Sequence, residues 1–294
     1  MPARLTAYLP DAAATWLVRS DVPLTLGRSE EASLRIEHPS VSRLHARLRC
    51  DGSSWSIEDA GSKNGLYVDG ARVAASRLGE HDWIRLGDVA CEWLALSEAE
   101  ADRFVTRGIE KRANSRFLAE SLQRQTALPG LLQETIRATV ELAECERGFL
   151  LLSEQGRWRV AASHALAPSL LVSGGFSGSI GAVERALAQD RPIVVNDAKG
   201  DPAWSSRQSV VAAGLCTLLC LPLRVEGETV AVVYADSSRP GALITASDLE
   251  LLKAFGERAA VWIAAHRGLD ELARLAPGRM AWNEVLDAQG LAHA

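Results

Sequence analysis

The sequence predicts a multidomain protein in which an all-β sandwich is followed by a helical connector and then by an α+β domain. Three observations predict it. At ~150 residues per domain, a 294-residue chain is long enough for two cores. The apolar pattern changes texture twice, from short alternations to sparse helical spacing and then to helix and strand runs in turn. Tight-turn dipeptides punctuate the first third of the chain.

The first unit, expected over 1–97, reads as short strands about ten residues apart. Thr15-Trp16-Leu17-Val18, Leu24-Thr25-Leu26, Leu34-Arg35-Ile36, Ala46-Arg47-Leu48, Trp55-Ser56-Ile57 and Trp83-Ile84-Arg85-Leu86 carry the alternation. Asp51-Gly52, Asn64-Gly65, Asp69-Gly70 and Gly87-Asp88 mark the turns. Residues 98–127 form a charged stretch with only Phe104, Ile109, Phe117, Leu118 and Leu122 as an apolar stripe, so the expectation is a connecting helix solvated on most faces. The second unit is expected over 128–276. Leu128, Leu131, Leu132, Ile136, Val140 and Ala143 recur at helical spacing. Strand-like runs follow at 148–152, 158–161, 192–195, 216–221 and 229–234, interrupted by helices at about 180–188 and 205–213. A long helix from Ser247 to about Leu275 closes the unit, with Ser247 and Glu250 read as its capping box. Residues 277–294 read as a frayed tail.

Composition narrows the classes. The formal net charge of −5 argues against a generic nucleic-acid binder. No run of eighteen apolar residues occurs and the N-terminus leads into no signal-like stretch, so a cytoplasmic protein without a membrane segment is expected. Cys50, Cys91, Cys145, Cys216 and Cys220 form no CxxC pair, which points to free thiols and to no metal site. Only Lys63, Lys111, Lys199 and Lys253 are lysines. The other cations are arginines, as coding from a GC-rich bacterial genome would give, so an anion site here would be built from arginine forks. No nucleophile elbow, HExxH, Walker A or kinase signature is found, and no enzyme is expected.

The chemistry concentrates in three segments: Gly27-Arg28, Ser42-Arg43-Leu44-His45 and Asn64-Gly65. Taken singly, Arg28 reads as a solvated charge, Ser42 as a turn residue and His45 as a core histidine. As a spaced set on a β-sandwich they resemble a forkhead-associated (FHA) domain, whose pattern is GR…SxxH…NG. Leu66 stands where that family usually has threonine. The resemblance implies phosphothreonine binding. By it, Arg28 and Ser42 contact the phosphate, Arg43 is a second cation, and Asn64 holds the ligand backbone. Ser62 or Lys63 adds a contact, while Gly27, His45 and Gly65 brace the loops. Phosphothreonine carries nearly two negative charges and three strong acceptors, so a guanidinium fork and a hydroxyl donor on rigid loops suit it.

The second unit resembles a GAF domain, an antiparallel sheet flanked by helices. The carrying segments are 146–152, 191–198, 214–223 and 230–236. The resemblance implies a pocket between the sheet and residues 163–213, its candidate lining being Phe176, Ile180, Trp204 and Val211. Neither a cyclic-nucleotide motif nor a chromophore-anchoring cysteine is found, and His164 reads as structural or solvated, so no cofactor is assigned. An unidentified small-molecule ligand stays open.

The resemblance also implies homodimerisation through the first and last helices. The 247–275 helix carries Leu249, Leu252, Phe255, Ala259, Trp262, Ile263, His266 and Leu269 for that purpose or for core packing. The expected function is a non-catalytic signalling adaptor. Its expected partner is a phosphothreonine protein, a Ser/Thr kinase or its substrate. The alternative is a small-molecule sensor whose FHA domain is only an interaction surface. Thr106 and Thr126, in or beside the connector, are candidate phosphorylation sites.

Overall fold

The computed structural model describes residues 1–19, 22–52, 54–166, 178–198, 204, 214–240 and 243–275. Eleven strands build the first unit: β1 (Ala3–Tyr8), β2 (Ala13–Val18), β3 (Leu24–Gly27), β4 (Leu34–Arg35), β5 (Ala46–Cys50), β6 (Trp55–Asp59), β7 (Leu66–Val68), β8 (Ala71–Val73), β9 (Ala75–Leu78), β10 (His81–Leu86) and β11 (Val89–Ala95). They form two sheets, in the orders β2-β1-β11-β10-β7-β8 and β4-β3-β5-β6-β9. Alternating residues turn inward from both sheets. Leu5, Leu26, Leu48, Ile57, Leu66, Ile84 and Leu86 are buried around an edge-on pair of indoles, Trp55 and Trp93, whose centroids lie 5.5 Å apart.

Helix α1 (Glu98–Gln123) leaves the sandwich through a true capping box. The Ser97 hydroxyl accepts from the Glu100 N–H, and a Glu100 carboxylate oxygen accepts from the Ser97 N–H at 2.8 Å. The helix is not the free connector that its charges suggest. Ala101, Ser115, Leu118, Ala119, Ser121 and Leu122 are buried, and Leu118, Ala119 and Leu122 join the core of the second unit. Leu118 and Leu122 of the expected apolar stripe are buried together with small residues, whereas Ile109 and Phe117 are 59% and 58% exposed.

The second unit follows with α2 (Leu128–Leu142), β12 (Arg147–Glu154), β13 (Arg157–His164), α3 (Ile180–Gln189), β14 (Ile193–Val195), β15 (Thr217–Val225), β16 (Glu228–Ser237) and α4 (Ala246–Leu275). The sheet is antiparallel throughout, in the order β13-β12-β16-β15-β14. Helices α1, α2 and α4 cover one face, where Leu249, Leu252, Phe255, Ala259 and Ile263 of α4 are buried. Helix α3 covers the other face with Ala182, Val183 and Ala186. The cap of α4 lies two residues earlier than expected. Thr245 and Asp248 form the reciprocal box, Thr245 N–H to Asp248 at 2.9 Å and Asp248 N–H to Thr245 Oγ1 at 3.2 Å. Glu250 pairs instead with Lys253. Asp248 also receives Lys111 Nζ at 2.8 Å, which fastens α1 to the start of α4.

The two units touch. Ala12, in the β1–β2 turn, is part of the second core, Ala13 bridges to Thr245, and Asp11 pairs with Arg191. Among the described residues no helix is long and apolar enough to cross a membrane. The Cys91, Cys145 and Cys220 thiols are free and buried, and burial pushes those of Cys91 and Cys145 up to about 12. The expected helix at 205–213 and the tail at 277–294 lie outside the described residues.

Candidate functional site

The three sequence segments meet at one end of the sandwich. β3 ends at Gly27, and the chain turns out with Arg28 against the 39–45 loop. Arg28 N–H donates to the Ser42 carbonyl at 3.0 Å, Ser29 N–H to Arg43 at 3.2 Å, and His45 N–H to Leu26 at 2.8 Å. The contact is too close for any side chain at position 27: a Cβ there would stand 2.0 Å from the Arg43 carbonyl oxygen.

His45 is fully buried beneath these loops and does not face solvent. Its Nδ1 accepts from the Ser42 N–H at 3.1 Å, so the ring proton sits on Nε2 and is given to the Gly65 carbonyl at 3.1 Å. Burial holds the imidazole below its ordinary value, against the opposing pull of the Gly65 hydrogen bond and the Asp59 carboxylate. The neutral ring is the one that fits, because a protonated Nδ1 would face another donor. One side chain thus ties the Ser42 loop to the Asn64-Gly65 turn.

The 59–65 loop closes on itself. Asp59 accepts from Ser62 N–H at 3.3 Å, and Ser62 Oγ accepts from Gly65 N–H at 3.0 Å. Gly65 sits at φ +81°, a conformation glycine adopts without strain. The loop is tied across to its neighbour, with Lys63 N–H donating to Ser42 Oγ at 3.0 Å and Asn64 Nδ2 to the Ser40 carbonyl at 2.8 Å. Ser40 Oγ in turn accepts from Asp88 N–H at 2.9 Å, which adds the β10–β11 turn to the frame.

What remains open on this frame is chemically specific. Ser42 Oγ is used as an acceptor, which leaves its own hydrogen to donate. The Asn64 carbonyl oxygen stays open while its amide nitrogen is engaged. Arg28, Arg43 and Lys63 are exposed. Nearby Arg35 pairs with Glu30 and Glu37, and Arg49 with Glu58, but among the described residues no carboxylate pairs with Arg28, Arg43 or Lys63. Leu66, the departure from the family pattern, is buried in the sandwich core and does not reach the loops. Sequence reasoning missed Arg72, whose Nε lies 2.8 Å from where a Cβ on Gly65 would be. Its nearness depends on the β7–β8 pairing, which no local pattern announces.

A separate cleft lies elsewhere. About 1500 Å³ in volume, it separates the outer face of the six-stranded sheet from α1 and the edge of the second sheet. Of the cations lining it, Arg4, Arg107, Lys111 and Arg191 are paired with Glu92, Glu144, Asp248 and Asp11 and Arg185 lies over the Trp204 ring, while Arg112 is exposed.

In the second unit, among the described residues, Ala182, Val183 and Ala186 of α3 pack with Phe149, Trp204 and Tyr234 on that face of the sheet. Phe149 and Tyr234 stack with centroids 5.0 Å apart, and Trp204 is buried with Arg185 over its ring at 5.1 Å. Tyr234 donates to the buried Asp236 at 2.9 Å and accepts from Ser179 N–H at 3.0 Å. Burial and the Asp236 charge together push the phenol well above its ordinary value. Arg147 closes the network on Asp236 at 2.6 Å. Ile180 was expected to line a pocket here, but it stands at the first turn of α3 and is 59% exposed, while Ala182, Val183 and Ala186 face the sheet. Phe176 and Val211 lie outside the described residues.

Comparisons with known proteins match one family in each unit. Residues 24–87 match the FHA domain family and residues 127–263 the GAF domain family. The chain is similar to the FHA domain-containing protein FhaB of Mycobacterium tuberculosis, 39% identical over 74 residues that cover 25% of this chain and 48% of that protein. It is also similar to the glycogen accumulation regulator GarA of Mycolicibacterium smegmatis, 33% identical over 79 residues, 26% of this chain and 49% of that protein. The chain thus spans about half the length of these relatives. A solved structure described as a structural and functional study of phosphothreonine-dependent FHA domain interactions matches 33% of this chain and 99% of its own, at 28% identity and a TM-score of 0.31.

Proposed function

Starting from a chain that carries an FHA domain followed by a GAF domain, we propose that it is a non-catalytic signalling adaptor that captures phosphothreonine-containing peptides. The observation that carries this is the loop end of the sandwich. There, Ser42 offers a free hydroxyl hydrogen beside Arg28, Arg43 and Lys63, none of them neutralised by a described carboxylate. Arg28 supplies the guanidinium fork for two phosphate oxygens, Ser42 donates to a third, and Arg43 adds charge. Ser62, Lys63 and Asn64 hold the ligand backbone beside it, with Asn64 accepting through Oδ1. Gly27, His45 and Gly65 keep the loops in register. Hydrogen bonds to an ionised partner are worth about 1.5–3 kcal/mol each, so Arg28→Ala should weaken phosphothreonine-peptide binding by roughly tenfold to a hundredfold. Titration calorimetry with peptides selected from a phosphothreonine library checks this. Undiminished binding by Arg28→Ala would sink the assignment.

The partner in this reading is a phosphorylated protein, a Ser/Thr kinase or its substrate. The GAF domain sets the oligomeric state. Exposed Val261, Leu269 and Leu272 on α4, with Val105 and Ile109 on α1, support a helix-mediated homodimer. Sedimentation of wild type and Leu269→Glu at tens of micromolar tests it, the variant being expected as a monomer. A monomeric wild type removes the dimer.

A further inference from the structure

The phosphate does not account for all the charge at the loop end. Arg28, Arg43, Lys63 and Arg72 are four cations, whereas a phosphothreonine carries about −2 at most. Arg72 is the one farthest from Arg28 and Ser42 in the chain, and β7–β8 pairing brings it next to the Asn64-Gly65 turn. It stands opposite Tyr67, and its guanidinium fills the space that a side chain on Gly65 would take.

The other arginine beside Tyr67 behaves differently. Arg85 stacks on the Tyr67 ring at 3.6 Å and donates to the Gly87 carbonyl at 2.7 Å, so its position is explained within the fold. Arg72 is exposed, and among the described residues no carboxylate lies within ion-pair distance of it. Its planar fork is suited to one carboxylate.

We propose that Arg72 is a specificity-determining residue that reads a carboxylate side chain flanking the phosphothreonine, so that the ligands this protein prefers are acidic phosphopeptides. The proposal rests on the phosphothreonine reading of the same loops. It assigns the phosphate to Arg28, Ser42 and Arg43, and the neighbouring acid to Arg72, across the Asn64-Gly65 turn.

The test is a set of phosphothreonine peptides in which Asp, Ala or Lys is stepped through each flanking position. Binding is measured for the full chain as wild type, Arg72→Ala and Arg72→Glu. Wild type should favour Asp over Ala by about two- to fivefold at one flanking position, the size expected for one solvent-accessible ion pair. Arg72→Ala should flatten that preference and Arg72→Glu should transfer it to Lys. Both variants should keep their dependence on the phosphate and their melting temperature. Identical preference profiles in all three proteins would overturn the proposal, as would an equal loss by Arg72→Ala on every peptide. If wild type binds no phosphopeptide while remaining folded, the phosphothreonine reading itself fails and the proposal with it.

Discussion

Gly27→Ala puts one methyl group between the two loops that carry Arg28 and Ser42. The added carbon would lie 2.0 Å from the Arg43 carbonyl oxygen and 3.1 Å from the Leu44 Cα, both backbone atoms that no rotamer change can move aside. Ordinary contact requires the loops to part by about 1.4 Å, judged against a carbon–oxygen separation of roughly 3.4 Å. That movement stretches two hydrogen bonds, Arg28 N–H to Ser42 at 3.0 Å and Ser29 N–H to Arg43 at 3.2 Å. Overpacking costs about 1–3 kcal/mol and the two weakened hydrogen bonds about 1 together, so the expected loss is roughly 2–4 kcal/mol. For a domain of this size that lowers the melting temperature by about 10–20 °C. Because the guanidinium and hydroxyl donors move apart, phosphopeptide affinity should fall at least about tenfold at a temperature where the variant is still folded. Calorimetry of unfolding and of binding reads both effects. Gly108→Ala is the matched control. Its Cβ meets nothing within 4 Å on α1, so it should stabilise by about 0.5–1 kcal/mol and leave binding alone. A Gly27→Ala protein with wild-type stability and affinity would refute the claim that this close approach sets the site.

His45 provides a pH signature. Its imidazole is held below its ordinary value, so the unfolded chain takes up a proton near 6.5 while the folded chain resists. The His45 contribution to stability should be complete above pH 6.5 and decline as pH falls from there through the lower folded value. Urea midpoints measured from pH 7.5 to 5.5 should fall more steeply in wild type than in His45→Asn, and equal slopes would contradict the neutral tautomer. At the other end of the molecule, Thr245→Ala removes the hydroxyl that caps α4 and the bond that steadies Asp248 for Lys111. About 1 kcal/mol of stability should be lost, read by chemical unfolding, with phosphopeptide binding unchanged.

The sandwich was legible because a half-buried strand must alternate and a tight turn needs particular residues, whereas the antiparallel order of the second sheet came from the resemblance and not from its continuous apolar runs. The runs at Trp55-Ser56-Ile57 and Trp83-Ile84-Arg85-Leu86 fall in β6 and β10. The loop residues were legible as a set because each contributing segment is short and contiguous, and the structure brings Arg28, Ser42, Arg43 and Asn64 to one end. Features that depend on distant partners stayed hidden. β1 is rich in alanine and raised no strand signal, and it is held by β2 and β11 on either side. The docking of α1 was only half legible: Leu118 and Leu122 stood in the apolar stripe, but Ala101, Ser115 and Ala119 complete the buried face by smallness, which hydropathy does not register. The α4 cap was misplaced because Ser247-x-x-Glu250 and Thr245-x-x-Asp248 are equally good boxes on paper. The choice between them falls to the one that can also reach Lys111. Arg72 comes beside the Asn64-Gly65 turn through strand pairing, and Ile180 left its expected place because α3 turns its alanines to the sheet.

The most direct test of the central claim is an NMR titration of the ¹⁵N-labelled full chain with a phosphothreonine peptide selected for binding. The account predicts that the largest amide shifts cluster at Arg28, Ser42, Arg43 and Ser62–Gly65, that they saturate together, and that the unphosphorylated peptide produces none. Shifts centred instead on the outer sheet face around Trp83 or on the GAF domain, or equal shifts with the unphosphorylated peptide, would contradict it.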